Sequence, residues 1–338
     1  MPSLNTLKVG AVDRLTPQSV VISIDIPNHL SSSYVYLPGQ YITLELEING
    51  NTVRRSYSIC SSPNSGLLQV GIKEVPNGIF STYVNRKIKK GDKIKAGKPE
   101  GRFTFNSKNE SIPIMAVAAG SGITPIMSIL KSTLRKDCKT RITLLYSNKT
   151  YADMMYKTEI QDLKDKYLDR LIVFNFFSRE IQSTEFLNGR ITKEKIAFLT
   201  KESLIDFKSI DQCFICGPMD MTNSLKLYLK DKGMAERQIM TELFFVASDK
   251  RTKDLPQNIE EDESKIEVLI DGSKKSFLMS KNDDFIDKAN QNGISVPYSC
   301  KNGMCATCRC KVNSGEARMR KNYSLEEWEI KNGFVLSC

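Results

Sequence analysis

The sequence predicts three domains in order: an antiparallel β-barrel, a doubly wound α/β domain, and a small domain built around a cysteine loop. From Leu4 to about Phe105 short strand-like runs recur without a long helical pattern. From Ile112 to Phe245 strand-like and helix-like segments alternate. Three cysteines then fall within the nine residues Cys300–Cys308. We place the domains at residues 1–108, 109–247 and 263–338, with a polar linker at 248–262.

Composition excludes several classes of protein. The chain has 338 residues, 40% hydrophobic and 26% charged, which is ordinary for two or three packed domains. No apolar run approaches the roughly 20 residues of a transmembrane helix, and the N-terminus lacks the pattern of a signal peptide. The nine cysteines therefore favour thiols in a reducing compartment, where they bind metal. We expect a cytoplasmic protein.

The net charge of +10 raises the possibility of nucleic-acid binding. The lysines are scattered among Asp and Glu, and no aromatic residues accompany them as stacking platforms. We therefore expect no nucleic-acid partner, and a basic surface that meets an acidic protein.

The barrel is predicted from four strand-like runs, separated by Gly, Pro and Asn turn signals. The runs are Val20–Ile24, Tyr41–Ile48, Thr52–Ile59 and Leu67–Ile72. A helix-like segment, Thr82–Ile88, follows the sequence Gly78-Ile-Phe-Ser81.

The second domain is predicted from alternating strands and helices, with the ligand expected at the carboxyl ends of the strands. The predicted strands are Ile114–Ala119, Arg141–Tyr146, Arg170–Phe176 and Gln212–Cys216. The predicted helices are Pro125–Lys136, Met154–Tyr167, Thr192–Leu199 and Asp220–Lys232. Cys213 and Cys216 also form a C-x2-C pair, for which a thioredoxin-like role is the alternative; the apolar residues between them argue against a helix start.

The cysteine loop has the spacing of a plant-type [2Fe–2S] site. Cys300, Cys305 and Cys308 form C-x4-C-x2-C, and Cys338 is the distant fourth cysteine. Gly303 can adopt a positive φ, which lets the loop curl around a metal group. Zinc is an alternative, although it usually takes two C-x2-C pairs. A disulfide framework fits small secreted chains instead, and a Rieske centre needs two histidines where this chain has one, His29.

The flanks of the loop predict a hairpin and two short helices. Lys265–Ile270 and Ser276–Met279 read as strands around the turn signal Asp271-Gly272. Asp283–Asn290 reads as one helix. Ser324–Lys331 reads as the other, with Ser324 and Glu327 as a capping box. We expect Cys310 to point inward from the strand after the loop.

Five further short segments accompany the cysteine loop: R-x-Y-S at 55–58, G-x-x-S at 78–81, G-S-G-I-T-P at 120–125, C-G-P at 216–218 and E-x-F at 242–244. On these segments and the cysteine loop, the whole chain resembles the ferredoxin–NADP reductase superfamily with a C-terminal plant-type [2Fe–2S] ferredoxin domain of β-grasp fold. Within it, the chain is similar to the phenylacetyl-CoA epoxidase reductases and related oxygenase reductases. Relatives of the last domain usually run one more strand beyond the fourth cysteine, so we expect either a truncated chain or a differently closed sheet edge.

The resemblance implies a flavin site in the barrel. Arg55 would pair with a flavin phosphate, Ser56 belongs to the same signature, Tyr57 would lie on the isoalloxazine ring, and Ser58 would bond near its N5 atom. The remaining predicted flavin residues are Lys73, Gly78 and Ser81, the last two at the pyrophosphate. The helix-like segment after G-x-x-S favours FAD over FMN, and FMN stays open.

The resemblance also implies a nicotinamide site in the α/β domain. Cys216 would lie beside the nicotinamide with Glu242 near it, while Phe244 would shield the flavin; with Tyr57 and Ser58 these form the predicted catalytic set. The predicted dinucleotide-binding residues are Gly120, Gly122, Thr124, Cys216, Gly217 and Pro218, together with Lys149, Ser178 and Arg179. The two cations favour NADPH because they suit a 2′-phosphate; NADH stays possible if they are ordinary surface cations.

The implied activity is that of an NAD(P)H-dependent electron-transfer oxidoreductase. A hydride would pass from NADPH to FAD, and single electrons would then pass through the [2Fe–2S] cluster to an oxygenase component or another redox protein. The alternatives are a reductase of a small or ferredoxin-like acceptor, and a cluster-bearing sensor without turnover.

Overall fold

The computed structural model describes residues 4–105, 112–135, 140–244, 263–270 and 272–338. The chain divides into two compact units. The larger comprises Leu4–Val53 and Tyr57–Ala247, and the smaller comprises the C-terminal part from Ser248 together with Arg54–Ser56. The predicted linker at 248–262 and the predicted boundary after residue 108 lie outside the described residues, so these domain limits stay predictions.

The N-terminal region forms a six-stranded sheet with the strand order β4-β3-β6-β1-β2-β5. A bridge between Ile59 and Val70 joins the two outer strands, so the sheet closes into a barrel. The strands are β1 Asn5–Thr16, β2 Ser19–Asp25, β3 Tyr41–Ile48, β4 Asn51–Ser58, β5 Leu68–Lys73 and β6 Lys93–Ala96. Alternate residues such as Leu7, Ile22 and Ile42 fill its interior. The predicted antiparallel barrel is confirmed.

Two barrel strands, β1 and β6, were not predicted individually. In β1 the alternation of side chains is broken at Gly10, where the register with β2 shifts between Val9 and Ala11. A Cβ at Gly10 would lie 2.1 Å from Oδ1 of the exposed Asp25, so a side chain at this position would require Asp25 to move. Strand β6 has only four residues, too few for a clear period.

Helix α1 spans Ile79–Arg86 and begins three residues before the predicted segment. Gly78 precedes it in an extended conformation, and no side chain caps the helix. The helix therefore starts directly at the G-x-x-S segment rather than after it, and its first backbone N–H groups lie there.

The second sheet has five parallel strands in the order β11-β10-β7-β8-β9. Its strands are β7 Ile114–Ala119, β8 Ile142–Asn148, β9 Leu171–Phe177, β10 Gln212–Gly217 and β11 Ile239–Leu243. The helices are α2 Ile123–Arg135, α3 Lys157–Lys166, α4 Lys193–Lys201 and α5 Met219–Asp231. All predicted elements are present, with ends moved by up to three residues. Strand order reverses between β7 and β10, so a crevice for a ligand is expected at their carboxyl ends.

The C-terminal region begins with an antiparallel hairpin and ends with a second two-stranded sheet. Its elements are β12 Glu263–Ile270, β13 Ser273–Ser280, α6 Phe285–Gln291, β14 Arg309–Lys311, α7 Glu327–Lys331 and β15 Phe334–Leu336. A small core that includes Phe277, Ile286 and Leu336 holds them together. The predicted order of strand, strand, helix, cysteine loop, strand and helix is confirmed, and β15 pairs with β14.

Two details of this region were predicted wrongly. Cys310 is exposed on β14 rather than inward, because β14 has only three residues and pairs with β15 alone. Helix α7 begins at Glu327, and its capping box joins Glu326 to Glu329. The hydroxyl of Ser324 instead donates to the Gly303 carbonyl oxygen at 3.3 Å, which draws it out of the helix.

Across the described residues, no helix combines the length and apolar character needed to span a bilayer.

Candidate functional site

Three side chains predicted to be catalytic meet in the larger unit. Ser58 ends β4, Cys216 lies near the end of β10, and Glu242 lies on β11. The Ser58 hydroxyl donates to Glu242 Oε2 at 3.3 Å, and the Cys216 thiol lies 3.9 Å from the same oxygen. Because β10 and β11 pair in parallel with Cys216 opposite Glu242, the sheet itself sets this approach.

The environment of this cluster favours neutral side chains. Burial raises the pKa of the Glu242 carboxyl to about 7, and hydrogen bonds from Ser58 and Cys216 only partly oppose the effect. Burial also raises the pKa of the Cys216 thiol, and the neighbouring Glu242 raises it further. Cys216 is therefore a neutral thiol near neutral pH, while Glu242 is poised to gain or lose a proton. Cys213 is a buried neutral thiol as well, because burial raises its pKa, which argues against a reactive C-x2-C pair.

The aromatic side of the predicted flavin site is preformed. The Tyr57 ring lies 5.5 Å from the Phe80 ring, centroid to centroid, at 35°. Phe80 is buried in the barrel core, so it supports Tyr57 from one side. Arg55 and Ser56 lie on the same strand, Arg55 exposed with its guanidinium donating to the Arg54 carbonyl oxygen at 2.6 Å.

The predicted pyrophosphate site lies at the N-terminus of α1. Gly78 leaves no room for a side chain, because a Cβ there would lie 2.6 Å from Ser81 Oγ. Ser81 is buried, and its Oγ accepts from the Val75 backbone N–H at 3.1 Å, so its own hydrogen stays available to a ligand. The first turn of α1 carries no acidic residue. A helix start with open N–H groups and no carboxylate suits a phosphate.

Lys73 lies at the end of β5 and is partly buried. Its Nζ donates to the Asp153 carbonyl oxygen at 3.4 Å. Desolvation lowers the pKa of Lys73; Asp153 opposes this, and the nearby Lys149 adds to it. Two cations that repel each other in this way favour an anionic ligand near them.

The glycine turn after β7 packs against the end of β10. A Cβ at Gly122 would lie 2.2 Å from the Cys216 carbonyl oxygen, so only glycine allows this approach. Gly120 has φ +53°, and the Thr124 hydroxyl donates to the Ser121 carbonyl oxygen at 3.1 Å. The turn therefore lies at the point where strand order reverses.

Gly217, Pro218 and Phe244 complete the crevice from β10 and β11. Pro218 immediately precedes α5 in an extended conformation. The Phe244 backbone N–H donates to the Gly217 carbonyl oxygen at 2.9 Å, which extends the pairing of the two strands. Phe244 is partly buried, so its ring remains accessible to a flat ligand.

Lys149, Ser178 and Arg179 are exposed at the ends of β8 and β9. The Arg179 backbone N–H donates to the Lys149 carbonyl oxygen at 2.8 Å, so the main chains of the two residues are adjacent. The neighbouring Glu180 accepts from the Tyr151 backbone N–H at 2.8 Å. Among the described residues no carboxylate forms an ion pair with either cation, which leaves both for a phosphate.

Tyr146 was not predicted as a site residue; it is fully buried in β8. Its hydroxyl donates to the Gly120 carbonyl oxygen at 3.1 Å and so supports the glycine turn. A tyrosine at the polar end of an apolar strand is the available signal, because a buried hydroxyl needs a partner.

The four cysteines of the smaller unit converge as two pairs. Contact with Cys305 lowers the pKa of Cys300 to about 5, and contact with Cys308 lowers that of Cys338. The same contacts raise the pKa values of Cys305 and Cys308.

Backbone N–H groups point at these sulfurs. Gly303 donates to Cys338 Sγ at 3.2 Å, and Asn302 and Met304 donate to Cys300 Sγ at 3.4 Å each. Positive φ values at Lys301, Gly303 and Ala306 make this curl possible. Such donors stabilise thiolates and thereby tune a bound metal group.

This donor set fits a two-iron group better than a single ion. A structural zinc ion needs four donors around a single centre, whereas a pair of irons takes two protein ligands at each end. The pairs Cys300–Cys305 and Cys308–Cys338 supply that arrangement.

Three family models match successive parts of the chain. Residues 7–105 match the oxidoreductase FAD-binding domain, residues 116–226 the oxidoreductase NAD-binding domain, and residues 268–338 the 2Fe-2S iron-sulfur cluster binding domain. These matches agree with the predicted cofactors FAD, a nicotinamide dinucleotide and a [2Fe–2S] cluster.

Two similar proteins are matched along almost their full lengths. One is a component of the 1,2-phenylacetyl-CoA epoxidase of Escherichia coli K12, 37% identical over 100% of this chain and 95% of its own. The other is the 3-ketosteroid-9-alpha-monooxygenase ferredoxin reductase component of Rhodococcus rhodochrous, 28% identical over 98% of this chain and 92% of its own.

Two solved structures share the fold. A ferredoxin NADP+ reductase from Neisseria gonorrhoeae, with bound FAD and NADP, has a TM-score of 0.61 at 21% identity, covering 72% of this chain and 99% of its own. An intact type IV self-sufficient cytochrome P450 monooxygenase has a TM-score of 0.68 at 16% identity, covering 99% of this chain and 39% of its own.

Proposed function

Since this chain belongs to the family of single-chain reductases that includes the matched component of the 1,2-phenylacetyl-CoA epoxidase, we propose that it supplies electrons from NADPH to an oxygenase component. Similar proteins are named as parts of an epoxidase and of a monooxygenase, which supports an oxygenase as the acceptor. The observation that chiefly carries the proposal is the meeting of Ser58, Cys216 and Glu242. It joins a barrel strand to the dinucleotide crevice, where hydride transfer requires both ligands.

When bound, FAD accepts two electrons as a hydride from the reduced nicotinamide and releases them singly, and the [2Fe–2S] cluster carries one electron at a time. The chain itself supplies binding, orientation and proton control.

Proton control is assigned to Glu242 and Ser58. With a pKa of about 7, the Glu242 carboxyl holds or releases a proton at Oε2 under physiological conditions. The Ser58 hydroxyl contacts that oxygen and can pass the proton toward the barrel side. Cys216, whose pKa is raised by burial, stays a neutral thiol and acts as a spacer beside the nicotinamide position, not as a nucleophile.

Binding of FAD is assigned to the barrel residues. Tyr57, backed by Phe80, offers the ring face, and Phe244 offers the opposing aromatic. The open start of α1 with Gly78 and Ser81 binds the pyrophosphate. Arg55, Ser56 and Lys73 supply further polar and cationic contacts.

Binding of NADPH is assigned to the α/β crevice. Gly120, Gly122, Thr124, Gly217 and Pro218 let backbone approach the dinucleotide closely. Lys149, Ser178 and Arg179 take the 2′-phosphate, because two exposed cations without a carboxylate partner in the described chain favour a dianion over a bare ribose.

The cluster ligands are assigned as Cys300, Cys305, Cys308 and Cys338, one pair for each iron. We also propose a cytoplasmic location, supported by the eight described cysteines, none of which forms a disulfide with another described cysteine.

The proposal is tested by rapid mixing of the purified protein with NADPH under anaerobic conditions. We expect the flavin absorbance to bleach faster with NADPH than with the same concentration of NADH. Bleaching by NADH alone would overturn the cofactor assignment, and absence of flavin from the purified chain would overturn the function.

A further inference from the structure

A basic segment borders the cysteine loop. Residues 311–321 read Lys-Val-Asn-Ser-Gly-Glu-Ala-Arg-Met-Arg-Lys and contain four cations and one acid, Glu316. Lys311, Arg318 and Arg320 are exposed or partly exposed, and Lys321 is partly exposed. We call this segment the basic rim.

The basic rim packs directly against the loop that carries the cysteine ligands. A Cβ at Gly303 would lie 2.7 Å from the Lys321 carbonyl oxygen, and Lys321 Nζ donates to Asn302 Oδ1 at 3.2 Å. Gly303 and Asn302 are residues whose N–H groups point at Cys338 and Cys300. The C-terminal end of the rim therefore contacts the same loop residues whose N–H groups donate to the cysteine sulfurs.

A second contact fixes the middle of the rim. The Leu336 backbone N–H, two residues before Cys338, lies 3.2 Å from Met319 Sδ. Met319 is partly buried in the small core of this unit. Its neighbours Arg318 and Arg320 are exposed. The Arg320 guanidinium donates to the carbonyl oxygens of Asn282 and Asp283 at 2.9 and 3.0 Å, which holds it on the surface of this unit, and Arg318 lies two residues before it.

The rim cations differ from the other cations around the loop. Lys301 is ion-paired with Asp287, and Arg309 with the buried Glu329 at 2.8 Å. Over the described residues, no carboxylate lies within ion-pair distance of Lys311, Arg318, Arg320 or Lys321. The charge of the rim is thus not neutralised by its own domain and extends into solvent.

We propose that the basic rim is the docking surface for an acidic face of a redox protein partner. This rests on the proposed function, since an electron acceptor must approach the cluster closely. Uncompensated cations beside the exit steer an anionic partner to that exit and speed the encounter at low salt. The occupant is a protein with a negative patch around its own redox centre; a cationic acceptor is disfavoured at the same place.

The test uses two haem proteins of opposite charge as probes, cytochrome b5 (acidic) and cytochrome c (basic), with the holoprotein and no NADPH. Calorimetry measures binding at about 0.02 M and about 0.3 M salt, which changes the screening length severalfold. The test variant is Lys311→Glu/Arg318→Glu, because no hydrogen bond in the described structure uses either side chain. A neutral version, Lys311→Gln/Arg318→Gln, guards against misfolding.

The matched control is Lys265→Glu/Lys275→Glu on the hairpin β12–β13, which changes the net charge of the same unit equally. Cytochrome b5 is expected to bind the unmodified protein at low salt and at least about tenfold more weakly to the test variant, with an intermediate loss for the neutral version. The control is expected to bind like the unmodified protein. Cytochrome c is expected not to bind.

Equal weakening by test and control variants, or none by either, would overturn the docking surface. The visible spectrum of each variant is recorded as well. Weaker binding by a variant whose cluster absorbance is intact shows that the lost charges, and not loss of the cluster, cause the change. If NADPH fails to reduce the unmodified protein's own cluster, the proposed function fails independently of the binding result.

Discussion

Replacement of Glu242 by Gln should stabilise the protein at alkaline pH while leaving its stability at acidic pH nearly unchanged. Burial raises the pKa of this carboxyl from 4.5 to about 7. Below about pH 4.5 the group is protonated in both folded and unfolded chains, so it costs nothing. As the pH rises from 4.5 to about 7, the unfolded chain releases its proton while the folded chain keeps it, so stability falls; above pH 7 the folded carboxyl also ionises and the full penalty remains.

The size of the effect follows from that difference. At about 1.4 kcal/mol for each pH unit, the charged carboxylate costs the folded state about 3 kcal/mol above pH 8. Glutamine keeps the shape and can still accept from the Ser58 hydroxyl. For a unit of this size, the gain corresponds to a rise in Tm of roughly 5–10 °C.

The assay is thermal unfolding at pH 5 and at pH 8.5, followed by circular dichroism of protein with equal flavin content. Glu236→Gln is the matched control, since Glu236 is exposed and its hydrogen bond and ion pair with Lys226 lower its pKa. The control should show no gain at pH 8.5. An equal gain for Glu242→Gln at both pH values, or none at pH 8.5, would refute the buried neutral carboxyl.

Two further predictions concern the cofactor sites. Gly303→Ala should lose most of its iron on purification, because the residue has φ +73° and a Cβ would meet the Lys321 carbonyl. Gly315→Ala is the control, because Gly315 has φ +80° but open space around it, and this variant should keep its iron. Equal loss of iron in both variants would show that backbone strain, and not the contact with Lys321, causes the loss. Lys149→Ala/Arg179→Ala should raise KM for NADPH at least about tenfold with little change for NADH, as steady-state rates would show. Parallel increases for both nucleotides would instead indicate a damaged fold.

Most of the fold could be predicted from the spacing of the cysteines and the periodicity of the apolar residues. The cysteine loop was predictable because two irons require ligands at defined separations, and those separations are written in the chain. The strands of the α/β sheet were predictable because buried parallel strands are continuous apolar runs, as in Ile114–Ala119.

The errors arose where a tertiary contact decides a local choice. The register between β1 and β2 shifts at Gly10, next to Asp25 of β2, and no local pattern reveals this pairing. Ser324 satisfies a helix-cap pattern, yet Gly303, twenty-one residues earlier, takes its hydrogen bond. Cys310 follows an inward position by two residues, but β14 is too short and too near an edge to bury it.

The contact between Ser58 and Glu242 could not be predicted from the sequence either. Ser58 and Glu242 were each predicted from a resemblance, but they are 184 residues apart in the chain. Their contact, and the pKa of Glu242 that follows from burial, depend on how the barrel strand meets β11. Sequence reasoning can place the residues on their elements, whereas the proton chemistry needs the packed structure.

Anaerobic titration with NADPH, followed by visible absorbance and electron paramagnetic resonance, tests the central claim most directly. We predict that flavin absorbance bleaches, that the cluster bands then fade, and that one unpaired electron for each chain appears. In Cys305→Ser the flavin should still bleach while that signal is lost. Bleaching of the flavin in the unmodified protein with the cluster bands unchanged would contradict an electron path through the four cysteines.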